Sequence, residues 1–254
     1  MYDVFVGSAL VGLYAKCNSV DHARRVFDKM LQRDVVSWTA MIVGYAHNGY
    51  SLEALRLFQR MQQEGVEPDS NSFASVLPVC AKLAALEKGI EIHQQIIRSG
   101  FQSDVFVESA LIDMYAKSGR IEKAHNLFDR QHQRNVVSWT TMIAGYAMHG
   151  FGEEAIHLFE QMQQSGVNPN HVTLVGVLSA CCHAGLVEKG QQYFNRMSQH
   201  YHINSAMEHY GCMVDLFGRA GKIDEARDFI NRMPIKPDAT AWGCLLGVCR
   251  MQKT

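Results

Sequence analysis

Residues 34–69 read DVVSWTAMIVGYAHNGYSLEALRLFQRMQQEGVEPD, and residues 135–170 read NVVSWTTMIAGYAMHGFGEEAIHLFEQMQQSGVNPN. Trp38 and Trp139 occupy the same slot, 101 residues apart. The match extends outward at the same offset: DVFVGSALVGLYAK starts at Asp3 and DVFVESALIDMYAK at Asp104. Self-similarity at a fixed period is the mark of stacked supersecondary units, and it argues against one globular core around one active site.

Dividing the matched stretches gives seven repeats: 4–34, 35–69, 70–104, 105–135, 136–170, 171–206 and 207–238. Their lengths are 31, 35, 35, 31, 35, 36 and 32, a short, middle, long rhythm. Each repeat carries two helical patterns. In 105–135 the first runs over Val105–Lys117, Ser118-Gly119 breaks it, and the second runs over Arg120–Arg130. Glycine closes a helix readily at its C-terminus. Ile121, Ala124, Leu127 and Phe128 form an apolar face of helical period. A small alanine recurs at Ala23, Ala54, Ala124, Ala155 and Ala226, as close helix approach requires. In the middle repeats, Gly65 and Gly166 end the second helix, and Pro68 and Pro169 prevent its resumption. No strand-like alternation competes. The expected fold is all-α: a right-handed α-solenoid of seven helix-turn-helix repeats, about 14 helices, stacked so that neighbours bury what one repeat cannot.

Composition agrees. Hydrophobic residues make up 47% of the 254 residues, enough for a continuous core, and the five prolines are too few for a disordered tract. A formal charge of −1 argues against a blanket electrostatic binder of nucleic acid or membrane, though not against a charged stripe on one face. The seven cysteines are odd in number and contain no C-x-x-C pair, which speaks against a disulfide framework or a zinc site and for a reducing compartment. Cys181, Cys182 and His183 are adjacent, and neighbouring helical residues point about 100° apart, so core cysteine is the better reading. No apolar run reaches the ~18 residues of a membrane span. Val4–Ala15 has a near copy inside the chain at Val105–Ala116, so it reads as a repeat helix and not as a targeting segment.

The histidine pairs His200/His202 and Glu208-His209 lack a ligand or carboxylate partner at useful spacing and read as surface residues. The H-x-E and P-C-x-x-C signature of zinc deaminases is absent, as are the phosphate-binding glycine loops. No catalytic residue, metal site or cofactor is expected, and the chain reads as a non-enzyme.

The rhythm and motifs resemble the plant PLS class of pentatricopeptide repeats. VVSWTAMIVGYAHNGYSLEALRLFQRMQQEGVEPD resembles the middle P-type repeat. NSFASVLPVCAKLAALEKGIEIHQQIIRSGFQSD resembles the long L-type, and DVFVESALIDMYAKSGRIEKAHNLFDR the short S-type. MEHYGCMVDLFGRAGKIDEARDFINRMPIKPDATAWGCLLGVCR resembles a final S-type repeat followed by the start of an E-like region at 239–254. Tetratricopeptide repeats, the nearest competitor, lack this alternation of lengths. The likeness is to E/DYW-type organellar editing factors cut short at both ends. It implies sequence-specific binding of single-stranded RNA in a mitochondrion or chloroplast, selecting cytidines for C-to-U editing. The deaminase would come from a missing domain or from a partner in trans. No transit peptide is recognised in the chain. A helical scaffold that binds protein on its concave face is the alternative.

In the family one repeat reads one base through the fifth residue of its first helix and the last residue of the repeat. Carried over, this gives Ser8 with Asp34, Thr39 with Asp69, Ser109 with Asn135, and Thr140 with Asn170. A hydroxyl with Asp implies guanine and a hydroxyl with Asn implies adenine. The donor and acceptor inventory agrees, since a carboxylate only accepts whereas an amide does both. Ala74 with Asp104 is a weaker pair, and Val175 and Gly211 lack the hydroxyl. The expected reading is G-G-N-A-A-N-N. Asp34, Asp69, Asn135 and Asn170 each precede a helix and could serve as N-caps; their recurrence with a hydroxyl favours readout. The second residues Phe5, Val36, Phe106, Val137 and Val172 are candidates for base stacking or, equally, for core between repeats. Asn71 and Glu208 fit that row badly. Lys16, Lys82, Lys117 and Arg219, with His47 and His183, fall at the thirteenth position, where cations track phosphates or complement helix C-termini. Trp38 and Trp139 read as core.

Overall fold

The computed structural model describes residues 3–131 and 133–239, together with 242, 243, 246 and 247. Most of the E-like segment 239–254, with Cys244 and Cys249, lies outside the described residues. The described residues form fourteen α-helices and no strand. They fall into two compact halves, Met1–Gln131 and His132–Thr254. The expected fold was one continuous array, and the division falls inside the repeat expected at 105–135.

The first half contains α1 (Val4–Lys16), α2 (Val20–Asp28), α3 (Val35–His47), α4 (Ser51–Gln63), α5 (Ser70–Lys82), α6 (Leu86–Arg98), α7 (Val105–Lys117) and α8 (Ile121–Arg130). Each odd helix packs on the even helix after it and on the next odd helix, so α1, α3, α5 and α7 form one layer and the even helices back it. The second half repeats the scheme with α9 (Val136–Met148), α10 (Gly152–Gln164), α11 (His171–Ala184), α12 (Val187–Gln199), α13 (Met207–Arg219) and α14 (Ile223–Asn231). The helix expected over Arg120–Arg130 begins one residue later, because Arg120 is its N-cap.

Each hairpin turns on one left-handed residue. Gly119 sits at φ 75, and the Arg120 N–H returns to the Tyr115 carbonyl at 2.9 Å. Ala84 fills the same slot in the third repeat at φ 53 with the same return bond, at a cost of roughly 1–2 kcal/mol for its Cβ.

The core follows the repeat. Ala23, Ala54, Ala124, Ala155 and Ala226 are all fully buried, as the spacing predicts. Phe27, Phe58, Phe128 and Phe159 fill the neighbouring slot, also buried. Trp38 is buried with its ring edge-on to Phe27 at 5.0 Å, and Trp139 is buried likewise. Truncating one such aromatic side chain costs roughly 3–5 kcal/mol. Cys181 and Cys182 are buried while His183 is exposed, so the three do not converge. Burial pushes the Cys181 thiol up to about 12, which keeps it protonated.

His209 corrects an expectation. It is fully buried, not at the surface. Every other repeat boundary of the described core places Asp or Asn before the next helix, but Ala206 stands before α13 and has no cap to offer. His209 supplies the reverse half of a capping box instead: its Nδ1 accepts the Ala206 N–H at 3.1 Å, and its Nε2–H donates to the His171 carbonyl at 3.1 Å. His200 and His202 are exposed, as expected.

Candidate nucleic-acid interface

In the first half the second, fifth, thirteenth and last positions of a repeat come together on the odd-helix layer. They line an open cavity of about 410 Å3, bordered by Lys16, Val36, Thr39, His47, Asp69 and Asn71. α1, α3 and α5 each contribute. Gly44 on its wall lets α3 approach α1: a Cβ there would lie 2.7 Å from that of Ala15. A second cavity of about 360 Å3 adjoins it, sharing His47 and Asn71 and adding Ala74, Pro78, Lys82 and Phe106. The two sit one repeat apart along the odd-helix layer.

The last residues are N-caps, and they are caps of one kind. Oδ1 of Asp34 accepts the Ser37 N–H at 2.9 Å, and Oδ1 of Asp69 the Ser72 N–H at 2.8 Å. Asp104 Oδ1 accepts from Phe106 and Val107 at 2.9 and 3.1 Å. Asn135 and Asn170 accept through Oδ1 from Ser138 and Thr173, both at 2.9 Å. Capping and readout looked like rivals for one oxygen. The geometry separates them: the cap takes Oδ1, and the second terminal atom, Oδ2 of Asp34 and Asp69 or Nδ2 of Asn135 and Asn170, makes no bond within the described residues. That second atom is where Asp and Asn differ, an acceptor in one and a donor in the other.

The fifth-position hydroxyls are held in two ways. Ser8 and Ser109 donate to the carbonyls of Val4 and Val105, both at 2.8 Å, within their own helix. Thr39 and Thr140 instead reach across to the next odd helix and meet Ser72 and Thr173, both at 2.6 Å. Ser72 and Thr173 are functional candidates that the sequence reading passed over. A Ser or Thr at the third residue after an Asp or Asn cap was the available signal. Ala74, Val175 and Gly211 offer no hydroxyl at that slot.

The second-position residues are exposed: Phe5 81%, Phe106 73%, Val36 57%, Val172 56% and Val137 54%. An inter-repeat core role would bury them, so the exposure favours a surface on which flat groups can stack. Lys16, Lys82, Lys117 and Arg219 are all exposed, with His47 and His183 in the same row. They are not equivalent. Lys117 is paired with Asp113 at 2.8 Å and Arg219 with Asp215 at 3.0 Å, each on its own helix. Among the described residues, no group of three His, Cys, Asp or Glu side chains is placed to hold a metal, and no helix is long and apolar enough to cross a membrane.

Known proteins supply the family. The PPR repeat family matches residues 33–82 and 134–183, and the PPR repeat matches 8–35, 109–130, 172–201 and 208–236. The chain is 46% identical over 251 residues to the putative pentatricopeptide repeat-containing protein At3g23330 of Arabidopsis thaliana, covering 99% of this chain and 35% of that protein. It is 47% identical over 250 residues to the chloroplastic pentatricopeptide repeat-containing protein CRR2 of the same plant, covering 98% and 38%. It therefore spans about a third of the length of the curated relatives it matches. Among solved structures, the pentatricopeptide repeat protein PPR10 from maize aligns with a TM-score of 0.65 at 19% identity, over 96% of this chain and 36% of that one. PPR10 in complex with an 18-nt psaJ RNA element aligns at 0.51 and 20% identity, over 99% and 36%. The chain belongs to the pentatricopeptide repeat family.

Proposed function

We propose that this chain binds single-stranded RNA sequence-specifically, one base per repeat, in the order G-G-N-A-A-N-N. It serves as the recognition part of a factor for organellar C-to-U editing or related RNA processing. The observation that carries the reading is the division of labour at the caps. Oδ1 holds the next helix, and the second atom, acceptor in Asp34 and Asp69 and donor in Asn135 and Asn170, is left for a base. Oδ2 suits the N1–H and N2–H₂ donors of guanine, and Nδ2 suits the N1 acceptor of adenine. The exposed Phe5, Val36, Phe106, Val137 and Val172 supply stacking surfaces, and Lys16 and Lys82 supply phosphate contacts. Relatives of this chain carry mitochondrial and chloroplastic names, and PPR10 has been solved with RNA, which supports an organellar RNA target. Ala74 with Asp104 contributes weakly. Any deamination is supplied by another domain or by an editing partner in trans.

Selection of RNAs from a random single-stranded pool by the 254-residue chain tests the reading. Enrichment of GGNAA is expected. Enrichment of an unrelated motif contradicts the assigned pairs, and retention of no RNA moves the assignment to a protein-binding scaffold.

A further inference from the structure

Two hydroxyl relays join a fifth residue to the last residue of its repeat through a third side chain. In the first half, Ser72 Oγ donates to Asp69 Oδ1 at 2.7 Å and lies 2.6 Å from Thr39 Oγ1. In the second, Thr173 Oγ1 donates to Asn170 Oδ1 at 3.0 Å, accepts the Asn170 N–H at 3.1 Å and lies 2.6 Å from Thr140 Oγ1. In both relays the contact spans 33 residues and links successive odd helices.

The protons can be counted. A carboxylate or amide oxygen only accepts, and a hydroxyl has one proton. Ser72 and Thr173 spend theirs on Oδ1. The 2.6 Å contacts are then made with the protons of Thr39 and Thr140, which leaves each threonine oxygen with lone pairs alone for any further partner; Thr39 borders the 410 Å3 cavity. Ser72 and Thr173 are fully buried, so water does not compete for these bonds.

We propose that Ser72 and Thr173 are positioning residues for base selection, setting the fifth-position hydroxyl as an acceptor. The proposal rests on the RNA-binding reading above and deepens it. At Thr39 and Asp69 the repeat then presents two acceptors, the threonine oxygen and Oδ2. Guanine is the base with two adjacent donors on its Watson–Crick edge, N1–H and N2–H₂, and adenine would set its N1 lone pair against an acceptor. At Thr140 and Asn170 the repeat presents an acceptor and a donor, which match the N6–H₂ and N1 of adenine. The same relay thus serves opposite choices, and the cap residue decides between them. Without the third hydroxyl, the threonine proton is released, its oxygen can donate, and the choice is blurred.

Equilibrium binding of the chain to short single-stranded RNAs containing GGUAA or GAUAA tests this, since they differ at the base assigned to residues 35–69. Wild type prefers GGUAA. Ser72→Ala keeps the backbone cap on Asp69 and lowers the GGUAA-to-GAUAA ratio about fivefold, the effect of one hydrogen bond. Ser72→Thr, which reproduces the residue at 173, keeps the ratio. Thr39→Val lowers the ratio as well, and the double variant Thr39→Val with Ser72→Ala is no worse than Thr39→Val alone. Equal weakening of both RNAs by Ser72→Ala, with the ratio intact, makes Ser72 a helix cap only and overturns the relay while base reading stands. No preference in wild type overturns the base reading and the relay with it.

Discussion

Thr39 and Thr140 occupy the same register as Ser8 and Ser109, yet the two pairs hold their hydroxyl protons differently. The threonines send theirs to the next odd helix, through Ser72 and Thr173, and so to the cap residue of their own repeat. The serines return theirs to their own helix, at Val4 and Val105. The helix that follows each serine repeat does carry a third-position serine, but Ser37 and Ser138 bond the carbonyls of Asp34 and Asn135 and not their side chains. The lesson is that residue types at the proposed reading positions do not by themselves fix how their hydrogen-bonding atoms are held. A threonine relay ties side chains of successive helices into one bonded unit, whereas a back-bonded serine is held by its own helix alone.

The largest effect expected is a change of identity at a relay cap. Asp69→Asn keeps Oδ1 and hence the cap, since Asn and Asp cap equally well. It turns the second atom from acceptor to donor, and the preferred base at the second position should switch from guanine to adenine by about tenfold to a hundredfold, the range of a bidentate base contact. Competition binding with paired RNAs reads this directly, and an unchanged preference with unchanged helix content contradicts the division of labour at the cap. Next comes the comparison of Thr39→Val with Ser8→Ala. Loss of the relayed oxygen should cost about fivefold in affinity for a matched RNA, one hydrogen bond, and loss of the back-bonded serine hydroxyl less than that. Equal losses would erase the distinction between the two kinds of site.

The cations divide in the same manner. Lys16→Gln and Lys82→Gln should each reduce the slope of log affinity against log salt by roughly 0.7, the value for one phosphate of a single strand. Lys117→Gln should reduce it less, because Asp113 already pairs with Lys117. Salt titrations of the three variants check the order.

The smallest effect concerns the repeat boundary that departs from the Asp/Asn pattern. Burial holds His209 below the ordinary histidine value, outweighing Glu208. The folded form therefore binds this proton less readily than the unfolded chain. Its contribution to stability is present above the ordinary value near 6.5 and is lost as pH falls below it, through the lowered folded value. His93, lowered by burial and by Lys123, acts in the same direction in the other half. Thermal unfolding should show a lower Tm at pH 5 than at pH 7.5, and His209→Gln, though less stable at the start, should lose part of that slope. A slope identical to wild type would contradict a buried neutral His209.

Much of this was legible in the sequence because it recurs. A period of 101 residues exposed the repeats, the alanine row exposed the helix contacts, and Gly119 exposed the hairpin turn. The caps were visible too, but a residue type cannot say which of its two terminal atoms a helix uses. That required the geometry in which Oδ1 is taken at Asp34, Asp69, Asn135 and Asn170. The relay stayed hidden because its partners are 33 residues apart and belong to different repeats, so no local pattern joins Thr39 to Ser72. His209 departs from the sequence expectation because an ionisable residue near a junction is ordinarily at the surface. Its ring is held instead by two backbone groups, the Ala206 N–H and the His171 carbonyl, the second 38 residues away in sequence.

The most direct test of the central claim is equilibrium binding of the chain to a short single-stranded RNA carrying GGNAA beside one carrying AANGG, at two salt concentrations. Preference for GGNAA that persists as both affinities weaken with salt is the predicted result. Equal binding to the two would leave a phosphate-tracking surface without base selection, and would contradict readout by the cap residues.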